Sequence, residues 1–331
     1  MRKAHKRIAV LLVAVLFNSL ASGVCVRGQS PDPLAQEGTS ASRKQGKRGS
    51  VRQVTIPITL RLRNESRAKR ELEPIGNITV REDGEAQEVL SIRGIGASPL
   101  TVAVLIQDGV VPSVSSDIGR IADFVRRLPR GSRVLVGYIR SGSLQVRQKF
   151  TGDLERAASA LRPPVPFASA SSSNTYLEII EGLRRFDSQP TGRRAMLVVA
   201  DGLDTSQGFE IAPQSLNLER SIREAQRRSV AIYSFYAPTV TSAAGNNQLL
   251  VGNAQGSLER LSEETGGRAF FQGTSAPVSF EPFLHDLATS LTRQFAVTYL
   301  STHPNKGYHR IEVLSERQDM ELDYPTGYTR K

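Results

Sequence analysis

The chain has 331 residues, 39% of them hydrophobic, with aromatics at 6% and no Trp. That supports one large or two small domains with a real core, and it offers no aromatic surface for stacking sugars or bases. The formal charge of +11 gathers at the front: residues 1–28 carry five positive charges and no acid, residues 29–50 a net +2, and Val51 onward only +4, a balance that argues against a nucleic-acid binder.

MRKAHKR is a basic leader, Ile8 to Phe17 an apolar core, and NSLASG supplies small residues. This pattern predicts a Sec-type signal peptide over 1–28, cleaved after Gly23 or Gly28, because ten apolar residues are too few to span a bilayer. The expected location is the periplasm, the cell surface or the medium, with no transmembrane helix in the mature chain. Cys25 follows Val24, where a lipidation signal requires a small residue. Cleavage after Gly28 leaves no cysteine, so the core alone must hold the fold. Residues 29–50 are rich in Ser, Gly, Pro, Gln and charge and read as a disordered linker with a solvated basic run.

VTIPITLRL alternates, with Ile56, Ile58, Leu60 and Leu62 on one face of a half-buried strand. NITVREDGEAQEVLSI reads as strand, Asp-Gly turn, strand. Residues 51–97 therefore form a β-rich N-terminal segment. From Leu100 strands alternate with helices. LTVAVLI is a continuous apolar run, as for a parallel strand covered on both faces. DIGRIADFVRRL places Ile118, Ile121, Val125 and Leu128 at helical spacing. RVLVGYIR and SLQVRQKF flank Ser141-Gly142 as a hairpin, whose second strand is expected antiparallel at a sheet edge.

GDLERAASAL is a helix, and so is NTYLEIIEGLRRF, with Leu177, Ile180, Leu183 and Phe186 expected on its inner side. RRAMLVVADG is a strand ending in Asp-Gly, ERSIREAQRRS a helix and VAIYSFY a strand. NAQGSLERLSEETGG is a helix with a Gly stop, RAFF a short strand and FEPFLHDLATSLTRQ the last helix. Residues 294–331 return to β. The order predicts an α/β fold, a doubly wound, mostly parallel sheet over 98–293, with flanking β segments that pack as a small sandwich or extend the main sheet.

These segments resemble the von Willebrand factor type A domain family, and the exported variant described from Acidobacteria. The resemblance rests on the order of VAVLIQDGV, the hairpin RVLVGYIRSGSLQVRQKF, SSSNTYLEIIEGL, AMLVVADGLD, LERLSEETGGRAFF, VREDGEAQEVLSI and PTGYTR, and it covers residues 51–331. It implies a metal-ion-dependent adhesion site at the C-terminal edge of the sheet. Ligands there come from Asp-x-Ser-x-Ser after the first strand, a Thr, and an Asp after the fourth strand.

Matched residue by residue, Gln107 stands at the first Asp position, Gly109 and Val111 at the two Ser positions, Thr175 at the Thr and Asp201 at the second Asp. Three of the five ligands are gone, a poor set for a strongly hydrated dication. The site is expected to be degenerate, with no cofactor. The alternative is Mg or Mn held by Asp108, Thr175 and Asp201, Asp108 standing in for the lost acid. Other readings are structural: Thr175 as a helix cap with Glu178 completing a capping box, Asp201-Gly202 as a strand-ending turn, and Asp204 as a solvated loop acid.

No G-x-S-x-G turn, phosphate loop, His-x-x-x-His or Cys-x-x-Cys occurs, and Gly94-Ile95-Gly96 precedes its strand. Of the histidines, His285, His303 and His309 read as surface or packing residues. The expectation is a non-enzymatic adhesion or protein-binding module with a protein partner. Its face comprises Gln107, Asp108, Gly109, Ser113, Ser173, Asn174, Thr175, Asp201, Gly202 and Asp204, with the polar loop Thr239–Gly252 beside it.

Overall fold

The computed structural model describes residues 51–62, 77–140, 142–166, 174–204, 215–239, 247–273, 277–317 and 319–330. They all belong to one compact unit, residues 47–331. The expected signal peptide and linker lie outside the described residues.

In chain order the elements begin with β1 (Arg52–Leu62), β2 (Ile78–Glu82), β3 (Glu85–Arg93), β4 (Leu100–Gln107) and α1 (Ser113–Arg126). Next come β5 (Arg133–Arg140), β6 (Ser143–Thr151), α2 (Leu154–Ser159), α3 (Thr175–Arg184) and β7 (Arg193–Ala200). Then follow α4 (Leu216–Arg228), β8 (Ala231–Tyr236), α5 (Gln248–Glu263), β9 (Ala269–Phe270) and α6 (Glu281–Thr292). The chain continues with β10 (Gln294–Ser301), β11 (Gly307–Ser315), β12 (Met320–Asp323) and β13 (Gly327–Arg330).

Six strands form a sheet in the order β6-β5-β4-β7-β8-β9. All its pairs are parallel except β5 with β6, so the expected hairpin does put an antiparallel strand at the edge. The continuous apolar runs are what two covered faces require. One face packs Val102, Val104 and Ile106 with Ile121, Val125, Leu287 and Leu291 of α1 and α6. The other packs Ala103, Leu105 and Val198 with Ile179, Leu183, Ile222 and Leu261 of α3, α4 and α5. Ile118, Ile121, Val125 and Leu128 are all buried, as their spacing predicts.

The doubly wound description holds for this sheet only. The flanking segments neither extend it nor make a sandwich. They form one seven-stranded antiparallel sheet, β12-β1-β10-β3-β2-β11-β13, because β1 pairs directly with β10 along Arg52↔Ser301 to Thr59↔Gln294. It has its own core of Val54, Ile56, Ile58, Val80, Val297, Tyr299 and Ile311.

The strand β1 is not half-exposed as its alternation suggests. Thr59 on its other face is buried as well and meets Tyr233 of β8, hydroxyl to hydroxyl, at 3.1 Å. Arg193, 1% exposed, joins the sheets by donating to the carbonyls of Gln294 at 2.7 Å, Ser98 at 3.3 Å and Leu291. Burial pulls its pKa down to about 10. A buried guanidinium without a carboxylate is tolerable here because carbonyl oxygens take its donors.

Candidate functional site

Parallel register fixes which residues meet at the loop edge. Ile106 pairs with Val199 and Ala200 with Tyr236, so the chain leaves β4, β7 and β8 at one level, where open α/β sheets keep their ligand sites. Gln107, Asp201 and the segment up to Thr239 therefore converge there. An antiparallel bridge from Val110 to Thr239 and a bond from the Val111 N–H to the Pro238 carbonyl at 2.9 Å hold the loops after β4 and β8 together.

The Gln107 side chain is the hub. Its Oε1 accepts from the Asp201 backbone N–H at 2.9 Å and from the Thr175 hydroxyl at 3.4 Å. Gln107 and Thr239 also hydrogen-bond the Asp201 carboxylate. All three predicted positions are buried: Gln107, Thr175 and Asp201 are at most 4% exposed. Burial pushes Asp201 up to about 6, against the bonds from the Leu203 N–H, Gln107 and Thr239. A neutral amide thus cross-links Thr175 and Asp201.

Asp108 points elsewhere. Arg162 grips both its oxygens, at 2.8 Å each, and the Val165 N–H adds a third bond at 2.8 Å. Its side chain is wholly buried. The same guanidinium lies 3.9 Å from the Tyr138 ring centroid, and the Asp108 bond raises its pKa. Asp108 and Asp201 are therefore not brought together as one acidic pair. Gly109 sits at φ +81°, a left-handed turn where a Ser would be strained, and its N–H donates to the Val165 carbonyl at 2.9 Å.

Ser113 is exposed at the start of α1. Ser173 lies outside the described residues. Asn174, and not Thr175, caps α3: its side chain accepts from the Leu177 N–H at 3.2 Å. The expected Thr175–Glu178 capping box does not form. Thr175 is already helical, and Glu178 turns to the β5–β6 turn, accepting from the Gly142 N–H at 2.6 Å. Burial pushes Glu178 up to about 7, against that bond and others from the turn.

Gly202 has φ +72°, and a Cβ there would stand 2.6 Å from the Ala254 carbonyl and 2.7 Å from Leu258. Its own carbonyl accepts from the Tyr176 hydroxyl at 2.6 Å. Asp204 is not a freely solvated acid: it bridges to Asn174 and accepts from Ser215 at 2.6 Å and Asn217 at 3.0 Å, which ties α3 to the start of α4. The expected loop Thr239–Gly252 is shorter than read, because α5 begins at Gln248.

Sequence reasoning missed Arg162, and it named Thr239 only as the start of a loop beside the face, not as a partner of Asp201. Nothing local marks Arg162, which is 54 positions from Asp108. Thr239 closes the segment after an apolar strand, a position that carries a signal once the strands are known to be parallel. The donor set does not fit a divalent ion. Gln107, Thr175 and Asp201 offer one carboxylate where an octahedral dication needs several oxygens, and among the described residues no group of three or more His, Cys, Asp or Glu could hold a metal. No described helix is long and apolar enough to cross a membrane.

No family model and no curated protein matches the chain. Among solved structures, an aerotolerance-related membrane protein from Bacteroides fragilis shares 12% identity, with TM-score 0.43, over 58% of this chain and 98% of that one. BatB from Bacteroides thetaiotaomicron shares 14%, TM-score 0.43, over 59% and 97%. A von Willebrand factor type A protein from Catenulispora acidiphila shares 8%, TM-score 0.42, over 87% and 75%. At such scores these are resemblances of chain path, and nothing about this chain's activity rests on them.

Proposed function

We propose that this chain is an exported, non-enzymatic protein-interaction module that binds its partner without a cation. The binding face is the loop edge of the six-stranded sheet, from Gln107 to Ser113, Asn174 and Thr175, and Asp201 to Asp204. The observation that carries the reading is the Gln107 amide, which bonds both Thr175 and Asp201 and occupies the place of the acid in the von Willebrand factor type A pattern. Export is supported by the basic and apolar leader in residues 1–28. The metal-dependent alternative through Asp108, Thr175 and Asp201 needs Asp108 to leave Arg162, which would break a bidentate pair made at a wholly buried carboxylate.

Two measurements test this. Calorimetric titration with Mg²⁺ and Mn²⁺ is expected to give no saturable heat; micromolar binding lost in Asp201→Ala would overturn the cation-free reading. A photo-crosslinking residue at exposed Ser113 is expected to give one protein adduct in cell-envelope extract, unchanged by EDTA. The same residue at Arg130, on the opposite edge of the sheet, is the control. Adducts that vanish in EDTA, or that form only at Arg130, would sink the proposal.

A further inference from the structure

Helical spacing expects Leu177 to be buried, yet it is 43% exposed. The inner stripe of α3 is instead Tyr176, Ile179, Ile180 and Leu183, because Tyr176 turns inward to reach the Gly202 carbonyl. Leu177 faces a groove of about 550 Å³ lined by Leu177, Ile180, Glu181, Arg184, Arg185 and Arg220. Residues three, four and seven apart share a helix face, so Leu177, Ile180, Glu181 and Arg184 form one wall along α3. On α4, Leu216 lies one turn before Arg220 and is 79% exposed. The wall on α3 therefore runs from Leu177 at the helix N-terminus to Arg184 further along, and α4 contributes Arg220.

The groove is unbalanced in charge. Its single acid is already engaged: Glu181 pairs with Arg185 at 2.8 Å through one oxygen and accepts from the Leu144 N–H at 3.3 Å through the other. Arg184 and Arg220 have no carboxylate partner among the described residues. A basic segment is repelled from such a surface. An acidic one is drawn to it, and exposed Leu177 at one end asks for an apolar anchor.

We propose that the groove between α3 and α4 binds an extended acidic peptide segment of a protein partner, with an apolar side chain on Leu177 and carboxylates on Arg184 and Arg220. The proposal rests on the reading of the chain as a protein-binding module and gives its partner a chemistry. The spacing is set by the helix. Seven residues at about 1.5 Å each separate Leu177 from Arg184 by about 10 Å, which an extended peptide covers in about three residues. The recognised pattern is an apolar residue followed three positions later by Glu or Asp.

The probe is an array of ten-residue peptides in which one Leu and a pair of Glu are moved independently, with Gln and Lys replacing Glu in parallel arrays. Hits are remeasured by fluorescence anisotropy on the full chain. Binding is expected to peak at the three-residue spacing, to weaken about tenfold in Arg184→Glu or Arg220→Glu, and to fall as salt rises. Leu177→Ser weakens it without changing the salt dependence. These residues are on the surface, and unchanged circular dichroism shows that the variants fold.

Equal binding of the Gln array, no binding of any Glu peptide, or affinity indifferent to both arginine variants overturns the proposal. So does binding to phosphatidylglycerol vesicles that is lost in the arginine variants while the peptides fail, which would make the groove a lipid contact. An adduct still formed from Ser113 in those cases leaves the protein-binding reading standing, so the two can fail separately.

Discussion

At the loop edge of the six-stranded sheet, the buried carboxylate of Asp201 is met by an amide, a hydroxyl and backbone N–H groups. At the β2–β3 turn of the seven-stranded sheet, Glu82 and Asp83 are met by a histidine ring. His309 Nδ1 lies 2.7 Å from Asp83 Oδ2 and 3.5 Å from Glu82 Oε1, and Nε2 lies 2.9 Å from the Asn305 carbonyl. A carbonyl can only accept, so Nε2 donates there, and the carboxylates facing Nδ1 favour a second proton on it, which raises the ring's pKa above 6.5. One sheet answers a buried acid with neutral donors, and the other holds an exposed acid, Asp83, beside a buried one, Glu82, with a histidine ring and the Ser301 hydroxyl. The first leaves a carboxylate that resists ionisation, and the second makes a clasp that depends on a histidine proton.

Asp108 is the point where this contrast breaks most sharply, because it lies at the loop edge yet is held by charge. Arg162→Ala leaves a carboxylate of zero exposure with the Val165 N–H alone of its three hydrogen bonds. The expected loss is about 3–5 kcal/mol in urea unfolding, and Asp108→Asn in the same chain should recover part of it. An effect no larger than that of a surface arginine would mean that Asp108 is not buried as described.

Asp201 gives the next effect. Its folded pKa, about 6, lies above the ordinary 3.8, so protonation favours the folded state. Its contribution is complete below pH 3.8, is lost as the pH rises through about 6, and is constant above. The slope integrates to about 3 kcal/mol. Asp201→Asn should remove this part of the pH dependence of thermal melts across that window and leave the part that comes from Glu178.

Gln107→Ala removes the hub and strips Asp201 and Thr175 of a shared partner. A cost of about 1–3 kcal/mol is expected, with the same melting temperature in Mg²⁺ and in EDTA. Rescue of this variant by Mg²⁺ would show that the amide was displacing an ion.

The clasp on the other sheet gives the smallest effect. Burial works to lower the His309 pKa, but Asp83, the Asn305 carbonyl and Glu82 raise it above 6.5. Burial works to raise Asp83, but His309 and the Arg310 N–H hold it below 3.8. The histidine's contribution is complete below pH 6.5 and is lost as the pH rises through its raised folded value. Asp83 contributes fully above pH 3.8 and loses that contribution as the pH falls through its lowered one. In an Asp201→Asn background, His309→Gln should remove only the high-pH decline, read by melting between pH 6 and 9.

Much of the fold was legible in the residues. Continuous apolar runs such as LTVAVLI predicted strands covered on both faces, and Ser141-Gly142 predicted the antiparallel edge hairpin, because period and turn chemistry are local properties. The positions of Gln107, Thr175 and Asp201 were legible too, as three segments ending in polar residues. Their bonding was not. Whether a Gln amide turns toward a strand 94 positions away, or Asp108 toward an arginine, depends on which chain segments the sheet order makes neighbours.

The helix face of α3 was misread for the same reason. Leu177 and Tyr176 are equally apolar by pattern, and only the Gly202 carbonyl, reached across the sheet edge, decides which one goes in. The amino-acid sequence by itself determined the strands, the helices and the glutamine at position 107, since backbone preference and side-chain identity are carried by each residue. The tertiary structure alone decided that the terminal β segments close one sheet, that an amide fills the loop edge and that a basic groove lies open between α3 and α4. Those depend on burial and hydrogen bonding between segments far apart in the chain.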